Sequence, residues 1–148
     1  MGKATKIRTL LHPEMLRELA AFLPEYIPEQ THFTYHPFVG AGTMEDPLVG
    51  NYYSYSEPVY RFCAVANHFV EVLAPFDWNK WALGREGKRL LKEKDAVASA
   101  SEIQLIKLAY TLARTERFAE GTLAEYLENK TILAIVQRAD VLLRTNLI

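Results

Sequence analysis

Two arginines, two glutamates, an aromatic and a glycine fall within eight residues, Arg114-Thr115-Glu116-Arg117-Phe118-Ala119-Glu120-Gly121. Arg114 and Arg117 stand three apart and share a helix face, while Glu116 and Glu120, four apart, share a neighbouring one. Two guanidiniums beside the free amide donors of a helix starting at Thr122 would suit a carboxylate or a phosphate, with a glutamate as general base. The same residues also read as a clamp. In that reading the arginines bond the orphan carbonyls at a helix end and pair with the glutamates across the turn. Helix ends always need such partners, so the clamp is favoured.

Three further groups invite chemistry. Trp78 and Trp81 lie on one helical face and could stack on a base or sugar, but packing anchors with Asp77 as N-cap are the commoner meaning. Arg85, Lys88, Arg89 and Lys92 follow i, i+3, i+4, i+7, a basic stripe of the kind that meets nucleic acid. Gly84 and Gly87 weaken that helix and Glu86, Glu93 and Asp95 dilute its charge, which favours a solvated face. His32 and His36 sit in extended chain, where four residues separate them by roughly 13 Å, too far for one metal. No metal or cofactor is expected, and no catalytic constellation is complete. His68 reads as a polar-face histidine of a helix. Val39-Gly40-Ala41-Gly42-Thr43 lacks the third glycine and the lysine of a nucleotide loop and reads as a turn. Cys63, the only cysteine, has apolar neighbours at helical spacing and reads as buried and inert.

The elements that must position these residues are mostly helices. Leu10 to Phe22 has helical apolar spacing, with Pro13 in its first turn and Pro24 beyond its end. Ser56-Glu57-Pro58 opens a helix that Pro75 stops, and Asp77 caps a short one over Trp78–Leu83. Arg85–Lys94 follows. Ser101-Glu102-Ile103-Gln104 and Thr122-Leu123-Ala124-Glu125 both read as capping boxes, separated by Gly121 as a left-handed stop. Thr131 caps a last helix. Between Pro24 and Pro58 the chain is rich in Pro, Gly and aromatics, with strand character at Thr31–Tyr35 and Val49–Tyr53. The expected fold is therefore mainly α. A single compact domain over residues 1–148 would hold five to six helices, with 24–57 a long ordered segment wrapping the core and room for a short β-hairpin near 31–55.

Composition limits the function classes. The chain has 148 residues and 49% apolar content, enough for a core without disulfide or metal. Its net charge of −1 argues against broad nucleic-acid or anionic-membrane binding. No apolar run approaches the roughly 18 residues of a membrane span, and the first residues lack the apolar stretch of a signal peptide, so a cytoplasmic protein is expected.

The runs Ala74 to Trp81 (APFDWNKW) and Leu105 to Asp140 resemble the DUF6508 family, bacterial proteins of unknown function. Tyr55, Tyr60, Phe76, Asp77, Trp78, Trp81, Arg114, Glu116, Arg117, Phe118, Glu120 and Gly121 stand where that family's motifs stand. The resemblance covers about residues 52–143. The chain departs from it in Asn129-Lys130, where glycine is frequent, and in Val136 and Ala139, where leucine is usual. It implies a bacterial or phage-borne protein and supplies no reaction.

The expected function is a non-catalytic one, binding a protein partner in a bacterial or mobile-element setting. The candidate binding residues are Arg114, Glu116, Arg117, Glu120, Trp78, Trp81 and Tyr55. The alternative is a small-molecule site or enzyme with an anion-recognising Arg/Glu cleft at 114–121, roofed by Tyr52 to Tyr60. A third reading is nucleic-acid binding through the 85–92 stripe. Leu142, Leu143, Leu147 and Ile148 are expected to pack internally or against a second copy.

Overall fold

The computed structural model describes residues 10–22, 24 and 32–146. Thr31, Leu147 and Ile148 of the expectations above lie outside them. Helix α1 (Pro13–Ala20) is followed by strands β1 (Phe33–His36) and β2 (Tyr52–Tyr55). Then come α2 (Glu57–His68), the single turn α3 (Val70–Leu73), α4 (Trp78–Leu83), α5 (Arg85–Lys92), α6 (Lys94–Ala98), α7 (Glu102–Phe118), α8 (Thr122–Glu128) and α9 (Thr131–Asn146). The protein is mainly α with one short hairpin, as its sequence indicates. The helices number nine among the described residues, more than five or six. The expected helix after Ser56 breaks at Phe69, and α6 adds a piece that periodicity does not show.

The buried side of α7, from Leu105 to Ala113, lies at the centre of the core. Leu16 and Leu19 of α1, Val59 and Phe62 of α2, and Ile132, Ile135 and Val136 of α9 belong to the same buried cluster. Leu142 and Leu143 are buried in it too. Ser101 caps α7 as its sequence indicates: its hydroxyl accepts from the Gln104 amide at 3.2 Å, and the Gln104 side chain accepts from the Ser101 amide at 2.9 Å. Asp77 caps α4 through the Lys80 amide. Tertiary contacts replace local ones at α1, where the Glu102 carboxylate accepts from the amides of Leu11 and His12 at 2.9 and 2.6 Å. The box expected at Thr122 does not form, because Thr122 turns its hydroxyl back to the Ala119 carbonyl.

Gly84 does separate α4 from α5, but Gly87 is no interruption. It is a buried position inside α5, where the α4 backbone crosses. A Cβ there would press into the Trp81 carbonyl and come within 2.9 Å of the Ala82 Cα. The missing side chain lets the two helices touch backbone to backbone.

The segment between α1 and α2 becomes an antiparallel hairpin in which Phe33 faces Tyr55 and Tyr35 faces Tyr53. A bridge between Val39 and Val49 continues the pairing. At its tip the amides of Ala41, Gly42 and Thr43 all donate to the Asp46 carbonyl at 3.0–3.2 Å. The Asp46 side chain takes a second bond from Ala41 at 3.0 Å. The G-x-G stretch is thus a turn whose converging donors are filled from within. Phe38, Val39, Met44, Leu48 and Val49, toward the tip of this segment, are exposed.

Candidate functional site

The charged motif sits at the end of α7 and through the turn into α8, and the hairpin docks on it. Gly121 adopts φ +98°, the left-handed conformation expected of a helix stop. Its bare Cα also faces the hairpin, since an added Cβ would lie 2.7 Å from the Tyr53 ring. Glu116 turns back over this junction. One carboxylate oxygen accepts from the Leu123 amide at 2.8 Å. The other accepts from the Tyr55 hydroxyl at 2.9 Å and the Gly121 amide at 3.3 Å. An anion at a helix N-terminus is the arrangement the amide donors and helix dipole favour. Here the anion is the protein's own. Glu120 accepts from the Tyr53 amide at 2.9 Å, adding a second link to β2.

The clamp is therefore built from the glutamates, and the arginines take no part in it. No ion pair joins Arg114 or Arg117 to Glu116 or Glu120 among the described residues. Arg114 instead lies over the Phe118 ring, 5.9 Å from its centroid, with its Nε buried and unpartnered. Phe118 in turn stacks on Trp78, at 5.8 Å between centroids and 22° between planes. Of the seven sequence-selected residues, Tyr55, Glu116 and Glu120 meet at the hairpin socket. Trp78 and Arg114 meet at Phe118, and Arg117 is exposed beside them. Trp81 belongs to neither group. Its indole N–H donates to Glu86 at 2.7 Å, its ring meets Phe76 edge-on, and Glu86 also accepts from Gln104 at 2.7 Å. Those two bonds hold the Glu86 carboxyl below the usual range. Tyr53 escapes sequence reasoning as a site residue, because its contribution is a backbone amide and a ring face.

The socket shapes the chemistry of its neighbours. Burial, then the bond to Glu116 and its charge, raise the Tyr55 phenol well above the ordinary value of 10.0. Burial and the charge of Glu116 push the Cys63 thiol up to about 12, so at neutral pH it is a protonated, poor nucleophile. Burial lowers His32, whose Nδ1 lies 3.0 Å from the Ser56 hydroxyl at the hairpin base. A phenol raised in the fold holds its proton more tightly than in the unfolded chain. Its contribution is whole below pH 10 and is lost as pH rises beyond it. Denaturant unfolding at pH 9 and pH 11 should show stability falling with pH. Tyr55→Phe should make that fall shallower and leave a remainder from the raised Cys63 thiol and from Tyr126, whose phenol burial also raises. Equal slopes in parent and variant would refute the coupling.

Two surface clefts of about 450 and 540 Å³ lie against α9, and none of the seven selected residues lines either. Among the described residues no group of three His, Cys, Asp or Glu side chains is placed to hold a metal. No helix there is long and apolar enough to cross a membrane.

The model of a family of unknown function (DUF6508) matches residues 11–145, and the chain belongs to that family. The match takes in α1 and the whole hairpin, well before residue 52 where the motif resemblance begins. No curated protein and no solved structure matches the chain.

Proposed function

We propose that the protein works by binding a protein partner, with the exposed hairpin tip as its contact. The carrying observation is the tip. Phe38, Val39, Met44, Leu48 and Val49 are exposed, Met44 to 97%, on a loop ordered by five hydrogen bonds to Asp46 and Thr43. Apolar side chains held out on an ordered arm lose little conformational freedom on docking, and contiguous exposed apolar surface is the usual mark of an interface. Glu45 stands exposed beside them. The partner this fits is a protein with an apolar cleft and a basic rim, in the bacterial or mobile-element cytoplasm that the family resemblance implies. The hairpin would then be the arm of a one-domain protein, a reading supported by the continuous buried cluster that runs from α1 to α9.

A photo-crosslinking residue at Met44, with a control at Glu18 on α1, tests this in cells. A discrete adduct with another protein from position 44, lost when Phe38→Asp is added, is expected. Self-adducts alone, or equal yields from both positions, would overturn the proposal. The enzyme or small-molecule alternative is weakened because Glu116 and Glu120 already accept from Tyr55, Leu123, Gly121 and Tyr53. A carboxylate so engaged is a poor general base.

A further inference from the structure

Away from the hairpin, the surface formed by α4, α5 and the end of α7 combines cations with an exposed aromatic stack. We infer that it binds single-stranded nucleic acid, with a base on Phe118 and the phosphates on α5.

The overall charge hides this surface. Residues 80–94 hold six cations and two carboxylates, net +4, so the remainder of the chain sums to −5. Helix geometry concentrates that charge. At about 100° per residue, Arg85, Lys88, Arg89 and Lys92 fall within an arc of about 100°, opposite Gly87 and Leu90. All four are exposed, whereas Gly87 and Leu90 are buried. Because its apolar side lies in the core, α5 has nothing to insert into a lipid surface and offers charge alone. Three carboxylates border the stripe, of which Asp95, just beyond its end, is exposed. Glu86 accepts from Trp81 and Gln104, and Glu93 lies 3.9 Å from Arg89. Arg85, Lys88 and Lys92 have no ion-pair partner among the described residues.

At the other end Phe118 is 73% exposed, backed by Trp78 and the Arg114 guanidinium. An aromatic face supported in this way can take an unpaired base, which a duplex would keep stacked inside. The two ends are tied to one helix: Glu86 bonds Gln104 near the start of α7, and Trp78 stacks on its last residue.

Fluorescence anisotropy of the full chain with a labelled 12-nucleotide oligothymidylate, a duplex of equal length and anionic vesicles provides the test. Expected are binding to the single strand at 50 mM salt and a log–log salt slope near −3 for about four phosphates neutralised. Phe118→Ala should weaken it about tenfold, and the double variant Lys88→Glu, Lys92→Glu should weaken it and flatten the slope. Thermal melts check that each variant is folded; the charge variants lie on the exposed face and stand in if Phe118→Ala does not fold. No binding, equal or tighter binding to the duplex or vesicles, or the same affinity in folded variants would overturn the inference. Phe38→Asp, on the hairpin, should leave this affinity unchanged.

Discussion

Glu116→Ala is expected to lower the unfolding free energy by about 3 kcal/mol, while Arg117→Ala changes it by less than about 0.5 kcal/mol. Hydrogen bonds to a charged group are each worth roughly 1.5–3 kcal/mol net, and they are not additive. Glu116 accepts two short ones, from Leu123 and Tyr55, and a longer one from Gly121, in a partly buried site. Losing it strips the start of α8 of its capping anion and frees the Tyr55 hydroxyl. The exposed Arg117 has no such partner, so its removal belongs with ordinary surface changes. For a chain of this size the Glu116 loss corresponds to a fall in Tm of roughly 6–12 °C. Amide exchange at Tyr53 should accelerate as well, since its N–H bonds Glu120 on the same turn. A larger loss from Arg117→Ala than from Glu116→Ala would restore the arginine clamp and sink this account.

Gly87→Ala is expected to destabilise by about 2–3 kcal/mol, the upper part of the roughly 1–3 kcal/mol range of forced overpacking. Local reasoning gives the opposite sign, because alanine is favoured over glycine in a helix interior by about 1 kcal/mol. The close approach decides the outcome. A new methyl would meet the Trp81 carbonyl and the Ala82 Cα, both backbone atoms with no rotamer to yield. Either α4 moves off α5 or both helices distort. Circular dichroism should show the fold retained with a lower Tm, and an unchanged or raised Tm would mean that the two helices separate freely. Loss of the α4 position would also disturb the Trp81–Glu86–Gln104 bonds, so the basic stripe and the start of α7 should shift together.

The features legible in the sequence are those whose partners lie within a few residues. The Ser101–Gln104 box, the Asp77 cap and the left-handed Gly121 all form, because chain connectivity brings donor and acceptor together at little entropic cost. The mainly helical architecture is legible too, through apolar spacing along Leu10–Phe22 and Ile103–Ala113, as is the short hairpin. The clustering of charge from Arg114 to Gly121 at one turn is readable from the sequence. Its internal wiring is not. Arg117 and Glu120 are in reach by sequence spacing, yet Glu120 bonds a hairpin amide 67 residues away, and Glu116 a phenol 61 residues away. Which of several acceptors a carboxylate meets depends on which element packs there, and pattern within one helix carries no information on that. Gly87 shows the same limit: a glycine read locally as a weak point in a helix marks, in three dimensions, a backbone crossing. The sequence by itself determined most of the helices, the Ser101 and Asp77 caps and the residues carrying charge. Tertiary packing alone decided that the glutamates hold the hairpin while the arginines are left for other contacts. The physical reason is that caps are local hydrogen bonds, whereas the socket exists only once β2 has been brought against the α7–α8 turn.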